Sequence, residues 1–487
     1  MKKLIFCFDG TWNDIKASGE RTSNVAKFAA MLDNVDDKGN PQIIHYDTGV
    51  GTGRRGRLTE GATGKGVLEN IREAYLFLCM NFVEGDEISV FGFSRGAFTA
   101  RSFAGLIEKC GIMRRAQIER AVEATNLYTR RAKMKTKAEK DYLTACFQNM
   151  KIVAGCNVNT SLKDEGFKSK SKSYKKGSHK MVKITYIGLW DTVGAMIDLD
   201  RSDVEFHAID IPDCALAARH AVAIDEYRPL FDIDLLDNID DANERAFGAL
   251  DKRKHKGTIA DYKKSPKRAF QELWFPGEHG SVGGGGDVLG LSDEALLWVM
   301  EGAVEHAKLK LDTDTEVSKV FGLRPTPLAP LDNTIKDSLK ESVMERALNK
   351  HFRNRKKGPK GIHEVSRSAI LRYLAPAKIL PEKKIYRPES LKRLSAEIKK
   401  RHRNITKKDY ELYNGYSFGA ECVPLGEPMT VSGKKLKFRT VKASERLSEI
   451  AKDYTNTTYE DLQKLNKIMV PNADDIFVGQ ILNVPAQ

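Results

Sequence analysis

Residues 90–101 read Val-Phe-Gly-Phe-Ser-Arg-Gly-Ala-Phe-Thr-Ala-Arg, an apolar run that enters Gly92-x-Ser94-x-Gly96 and continues with helical spacing. A serine at the tip of a sharp strand-to-helix turn takes a strained backbone conformation, and side chains two positions to either side would collide, so both flanking positions call for glycine. Such an elbow lifts Ser94 above a sheet edge. It also aims the Arg95 amide, at the positive end of a helix, toward a place where an oxyanion forms. Short glycine and serine combinations recur by chance in a chain with 38 glycines, so the competing reading is an ordinary strand-to-helix turn. The apolar strand pattern of 86–91 before it and the helical spacing of 97–108 after it favour the elbow.

The rest of the chain to about residue 310 alternates apolar strands with helical stretches, the pattern of a mostly parallel α/β sheet with helices on both faces. Strands are expected over 4–8, 42–46, 87–91, 183–189 and 272–275. Helices are expected over 67–82, 97–108, 116–131, 214–224 and 293–306. Beyond residue 311 the text turns charged and proline-punctuated, with little strand character. It reads as a mainly helical accessory region serving as a lid, a membrane-facing layer or a docking surface. Strand and helix periodicity returns near the end, so the expected units are 1–310, 311–434 and 436–487, a division that fits a length of 487 residues.

Seven scattered cysteines without a C-x-x-C pair suggest neither a zinc site nor a disulfide framework, and the chain is expected to fold in a reducing compartment. The opening Met-Lys-Lys-Leu-Ile-Phe-Cys-Phe stops at Asp9, short of the roughly 7 to 15 apolar residues of a signal peptide core, and reads as the first buried strand. No window approaches the ~18 apolar residues of a membrane span. Synthesis in the cytoplasm without a leader is therefore expected. The net charge of +14 is compatible with nucleic acid, an anionic membrane surface or simple solubility. Its clusters at 130–140, 163–183 and 350–360 read first as solvated loops and helix faces, with a membrane-facing role for the last as the sharper alternative. No nucleic-acid partner, metal or cofactor is expected.

An activated serine needs a base within hydrogen-bond reach and an acid to orient that base. Asp191 stands just beyond an apolar strand in Ile-Gly-Leu-Trp-Asp-Thr-Val-Gly, and His279 lies in a glycine-rich stretch after another, in Trp-Phe-Pro-Gly-Glu-His-Gly-Ser-Val-Gly. The order Ser94, Asp191, His279 is that of α/β-hydrolases. His220, read on an apolar helix, is the rival base, though a histidine there is more often a satisfied core residue. Asp9 ends the first strand and is either a supporting acid or a turn cap. Gly10 and Thr11 follow it, where a second oxyanion donor could come from. Asp-Gly-Thr also resembles the first motif of haloacid-dehalogenase phosphatases, but Cys7 stands where their nucleophilic aspartate belongs. The run Gly61-Ala62-Thr63-Gly64-Lys65-Gly66 lacks P-loop spacing.

Taken together, Phe8-Asp9-Gly10-Thr11-Trp12-Asn13, the 61–66 run, Gly92-Phe93-Ser94-Arg95-Gly96-Ala97, Trp190-Asp191-Thr192-Val193-Gly194, His220-Ala221 and Trp274-Phe275-Pro276-Gly277-x-His279 resemble the α/β-hydrolase family that includes the first class of bacterial type VI lipase effectors. The resemblance covers roughly residues 1–305 and implies a phospholipase of A1 or A2 type, delivered into the periplasm of rival bacteria, with Ser94, Asp191 and His279 as its triad. It also implies a phospholipid substrate, a bacterial membrane surface, a component of the secretion apparatus and an immunity protein as partners. One departure is Ser281, which stands where the family pattern His-x-Asp-Val-Gly-Gly has aspartate. Residues 436–487, with Tyr454 to Asn466 and Val478-Gly479-Gln480-Ile481-Leu482, resemble a LysM module. That implies a βααβ fold and binding of peptidoglycan. Two other classes stay open: a peptidoglycan-binding or phage-tail-like protein with an inactive hydrolase scaffold, and a cell-wall esterase using the same triad.

Overall fold

In a computed structural model of the protein, the described residues are 1–10, 22–49, 64–130, 136–154, 182–194, 210–226, 228, 231–250, 257–286, 288–312, 323, 325–331, 358–403, 405, 429–431, 434–440, 446–454, 457–465 and 481–485. Strands β1 (Lys3–Phe8), β2 (Gln42–Asp47), β3 (Glu87–Phe93), β4 (Ile184–Trp190), β5 (Ala218–Ala223) and β6 (Phe270–Phe275) form a six-stranded sheet in the order β2-β1-β3-β4-β5-β6. Every pairing is parallel. Parallel strands need crossover helices on both faces, which is why these strands are apolar on both sides. Leu4, Phe6 and Phe8 enter one core cluster while Ile5 and Cys7 enter another. Helices α2 (Gly64–Asn81), α3 (Arg95–Cys110), α4 (Arg120–Arg130) and α5 (Lys137–Ala154) cover the first face; α1 (Asn24–Ala30) and α9 (Gly290–Ala307) cover the second. Between β5 and α9 the chain adds α6 (Ile239–Gly248), α7 (Ile259–Lys264) and α8 (His279–Gly283).

The chain leaves β1 for β2 on one side, then returns to place β3 on the other. At such a switch point the loops beyond the carboxyl ends of neighbouring strands diverge and leave a crevice. Ser94 follows β3 there, beside Asp9 after β1.

Residues 214–224, expected to be helical, instead supply β5, whose six residues are all buried. The run is rich in alanine, so neither helical nor strand period shows in it, and sheet burial on both faces decides. Val222 packs in one cluster, Ala221 and Ala223 in another. The helix expected over 116–131 divides into a 3-10 turn at Arg115–Gln117 and α4.

The accessory elements α10 (Arg367–Leu374) and α11 (Ser395–Arg401), with 3-10 turns at Ile362–Glu364, Ala377–Ile379 and Glu389–Leu394, pack Ile362, Val365, Ile370, Tyr373, Tyr386 and Leu391 against Val222, Ile224 and Trp274. Val365 bridges to Trp274 and the Ser366 amide donates to the Trp274 carbonyl at 3.0 Å, so the outer edge of β6 is covered there. At the C-terminal end β7 (Met429–Val431), β8 (Lys434–Thr440) and β9 (Ile481–Pro485) form an antiparallel sheet, with α12 (Leu447–Ala451) and α13 (Tyr459–Leu465) between β8 and β9. This sheet begins ahead of residue 436, the boundary expected from the sequence. Among the described residues no helix is long and apolar enough to cross a membrane. The basic stretch at 163–180 and most of the 350–360 cluster lie outside the described residues.

Candidate active site

Ser94 sits between β3 and α3 with φ 58° and ψ −127°, a backbone conformation that costs a non-glycine residue on the order of 1–3 kcal/mol and persists only where the surroundings enforce it. The enforcement is visible. The Ser94 amide donates to the Trp190 carbonyl at 3.0 Å, and the Ser94 carbonyl accepts from the Val193 amide at 3.3 Å. A methyl group on Gly92 would meet the Gly96 carbonyl and lie 2.7 Å from the Ala97 backbone; one on Gly96 would meet the Phe8 and Asp9 carbonyls. Both glycines are thus required by backbone that cannot give way.

Asp191 follows β4 with φ 36°, the second strained residue of the site. Its amide donates to the Ala221 carbonyl at 2.7 Å, and its Oδ1 accepts from the Ala223 amide at 2.8 Å. Oδ2 is left to meet His279 Nδ1 at 2.7 Å. His279 Nε2 lies 2.8 Å from Ser94 Oγ. A carboxylate only accepts, so Nδ1 carries the imidazole proton and Nε2 presents its lone pair to the serine hydroxyl. The three residues are buried and the His279 ring is held between Phe93 and Phe231, with centroids at 4.6 and 4.8 Å. Desolvation strengthens each of these contacts.

His279 does not lie in an open glycine-rich loop, as the sequence suggests, but opens α8. Its amide donates to Glu226 Oε2 at 3.2 Å. Burial pushes the Glu226 carboxyl up, but the bidentate contact and charge of Arg228, together with His279, outweigh it and hold Glu226 below the usual carboxylate range. The Arg228 guanidinium in turn lies 3.9 Å from the Phe231 ring centroid.

His220 is on β5, not on a helix, and does not reach Ser94. Its Nε2 accepts from the Thr192 amide at 3.1 Å and contacts Thr192 Oγ1 at 3.0 Å, while Nδ1 meets Glu272 Oε2 at 2.9 Å. The ladder between β4 and β5 ends at Trp190 and Ala221, and the His220 ring supplies the acceptor for the next amide but one. Asp9 is buried beside the elbow: Oδ2 accepts from Ser23 Oγ at 2.5 Å and Tyr46 Oη at 2.6 Å, and Oδ1 accepts from the Gly10 amide at 2.6 Å. Burial, then the Asp9 charge, raises the Tyr46 phenol well above its ordinary range, so it stays a donor. The Gly10 amide expected to face an oxyanion is therefore turned to Asp9. Thr11 lies outside the described residues. Arg95 is half-buried, and desolvation lowers its guanidinium to about 10.

A family model described as "T6SS, Phospholipase effector Tle1-like, catalytic domain" matches residues 2–302, more than half of the chain. The chain belongs to this family. Ser94, Asp191, His279 and His220 all fall within the matched segment of the Tle1-like catalytic domain, whereas α10 and α11 lie beyond it. A second model, that of the LysM domain, matches residues 440–485. The Saccharomyces cerevisiae "Uncharacterized protein YEL023C" is 30% identical over 245 residues, which is 47% of this chain and 32% of that protein. The chain thus spans about a third of the length of that curated relative. Among solved structures, an uncharacterized protein from Pseudomonas aeruginosa is 16% identical with a TM-score of 0.32, covering 64% of this chain and 46% of its own. The Tle1 effector bound to the VgrG spike of the type 6 secretion system is 17% identical with a TM-score of 0.27, covering 58% and 51%.

Sequence reasoning passes over Thr192, Asp225, Glu226, Arg228 and Glu272 in this Tle1-like domain. The signal that finds them is positional. Asp225, Glu226 and Arg228 stand just past an apolar strand, where α/β sheets present working groups, but only once 218–223 is read as a strand.

Proposed function

We propose that the chain is a serine-dependent phospholipase. Ser94 Oγ attacks the carbonyl carbon of an acyl ester while His279 Nε2 takes the hydroxyl proton, and Asp191 holds the imidazole in the tautomer this requires. The tetrahedral intermediate collapses as His279 returns the proton to the departing lysophospholipid oxygen. Water, deprotonated by the same histidine, then releases the fatty acid from Ser94 and restores the enzyme. The Arg95 amide, at the N-terminus of α3, stabilises the oxyanion; loss of one such donor typically costs about 3 kcal/mol in the barrier. Gly10 or Thr11 supplies the second donor, Gly10 after its amide leaves Asp9. The observation that carries the reading is the unbroken chain of hydrogen bonds from Ser94 through His279 to Asp191, inside a domain of the phospholipase effector family.

The units at 1–310, 311–434 and 436–487 then divide the work. The first cleaves phospholipid at the A1 or A2 position, and the LysM unit holds peptidoglycan. The whole acts as an antibacterial effector, carried by the type VI apparatus into the periplasm of a rival and restrained at home by an immunity protein. The test incubates the full chain and its Ser94→Ala variant with phosphatidylethanolamine and phosphatidylglycerol vesicles and reads the products by mass spectrometry. Free fatty acid and lysophospholipid from wild type alone are expected. Acetate released from wall polymer without lipid cleavage would overturn the proposal in favour of a wall esterase, and equal silence of both proteins while peptidoglycan is bound would leave a binding protein.

A further inference from the structure

The turn that carries His279 is gripped from the loop after β5. The Asp225 amide donates to the Gly277 carbonyl at 3.0 Å, and Asp225 Oδ2 accepts from the Gly277 amide at 2.7 Å. Gly277 has φ +103°, a conformation that glycine adopts readily, and it lies two residues before His279, whose own amide rests on Glu226. The same Asp225 Oδ2 accepts from the hydroxyl of Tyr386, at 2.8 Å. Tyr386 belongs to the accessory elements, beyond the end of the family match at residue 302, and is 6% exposed.

A second tie runs parallel to the first. The fully buried Arg372 on α10 holds Glu382 through two contacts at 2.7 Å, and Glu382 accepts from the Leu331 amide at 2.8 Å. The Leu331 carbonyl accepts from Ser281 Oγ, on α8, at 3.3 Å. The Arg372 guanidinium also stands 5.5 Å from the Tyr386 ring centroid, so both ties meet at one point in the accessory core.

We infer that Tyr386 and Asp225 are positioning residues through which the accessory elements aim His279 at Ser94, an inference that rests on the serine-hydrolase reading above. The accessory elements are then a buttress of the catalytic histidine and not merely a cover for the edge of β6. Both donors converge on one oxygen, so a carboxamide at position 225 can still accept from both, more weakly than a carboxylate, while an apolar side chain serves neither.

The experiment uses the full chain with a p-nitrophenyl ester as substrate and a fluorophosphonate probe for Ser94, with melting temperature measured for each variant. Tyr386→Phe keeps the packing and removes one hydrogen bond, so kcat is expected to fall about three- to tenfold with KM nearly unchanged and the melting temperature lowered by only a few degrees. Asp225→Ala is expected to lower kcat roughly 10- to 100-fold through misaim of the histidine. Adding Tyr386→Phe to Asp225→Ala should lower kcat no further, because the two act through one contact. Asp225→Asn should stay within about threefold of wild type, since it keeps the accepting oxygen, and with Tyr386→Phe it carries the test if Asp225→Ala does not fold. An unchanged kcat in Tyr386→Phe, or losses that multiply in the double variant, would overturn the coupling. Wild type that fails to label at Ser94 would overturn the hydrolase reading itself, whereas equal labelling rates across all variants would overturn the coupling alone.

Discussion

Replacing His220 with leucine removes a ring of similar volume from a site with 0% exposure, and takes with it the acceptor of the Thr192 amide and the partner of Glu272. Glu272 keeps the Leu236 amide at 2.9 Å but loses the contact that compensates its carboxylate, whose side chain is 11% exposed. Leaving the buried Thr192 amide without its acceptor costs about 1–3 kcal/mol and losing a hydrogen bond to the Glu272 carboxylate about as much, so the two together come to roughly 3–5 kcal/mol. At roughly 2 °C per kcal/mol for a unit of this size, His220→Leu should lower the melting temperature by about 6–10 °C. The effect of a second substitution should change sign between backgrounds. Glu272→Gln alone weakens a charge-assisted bond to a neutral one and should destabilise by about 1 kcal/mol. In the His220→Leu background the same change removes a buried charge that has lost its imidazole donor while keeping an oxygen for Leu236, so it should stabilise. Thermal melts of the four proteins form a double-mutant cycle. Glu272→Gln destabilising by the same amount in both backgrounds would refute the account.

Asp191→Asn preserves volume but no longer fixes the His279 tautomer, so kcat should fall by about four orders of magnitude with little change in fold, read by ester hydrolysis and circular dichroism. Gly96→Ala drives a methyl group into the Phe8 and Asp9 carbonyls and should abolish ester hydrolysis or prevent soluble expression; an active, stable variant would contradict the steric argument. Glu294 is pushed up to about 8 by burial, then by Asp293 and Glu301, and its Oε1 is buried without a hydrogen-bond partner among the described residues. Between its unfolded value and that raised one the folded state holds the extra proton, so stability declines as pH rises through this window. Glu294→Gln should therefore match wild type at about pH 5 and melt higher at about pH 8.5.

The strands that the sequence reveals are those whose apolar run is long and bounded by turns or charge, such as Leu4 to Phe8 against Asp9. Strand β5 escapes because alanine carries no face preference, and that one misreading moves His220 onto a helix and hides Asp225 and Glu226 at the strand's end. Helix α8 escapes for another reason: His-Gly-Ser-Val-Gly contradicts helix propensity. It forms because a side chain at Gly283 would strike the Phe93 ring, so only glycine lets this turn lie against the elbow. Tertiary packing overrides the local preference there, and that information is not local to any five residues.

The two histidines show most clearly what a sequence withholds. Thr192, His220 and Glu272 repeat the grammar of Ser94, His279 and Asp191, a hydroxyl, an imidazole and a carboxylate in hydrogen-bonded series. Residue types and spacing cannot separate them. What separates them is the Thr192 amide, which donates to the same Nε2 that faces the Thr192 hydroxyl, so the lone pair that would take a proton is already engaged. At His279 the corresponding amide, that of Ser94, donates instead to the Trp190 carbonyl, and of the two groups only the Ser94 hydroxyl meets Nε2. A base is thus distinguished from a brace by where one main-chain N–H points, and that direction is set by the strained turn at Asp191, between strands that the chain brings together from 28 residues apart.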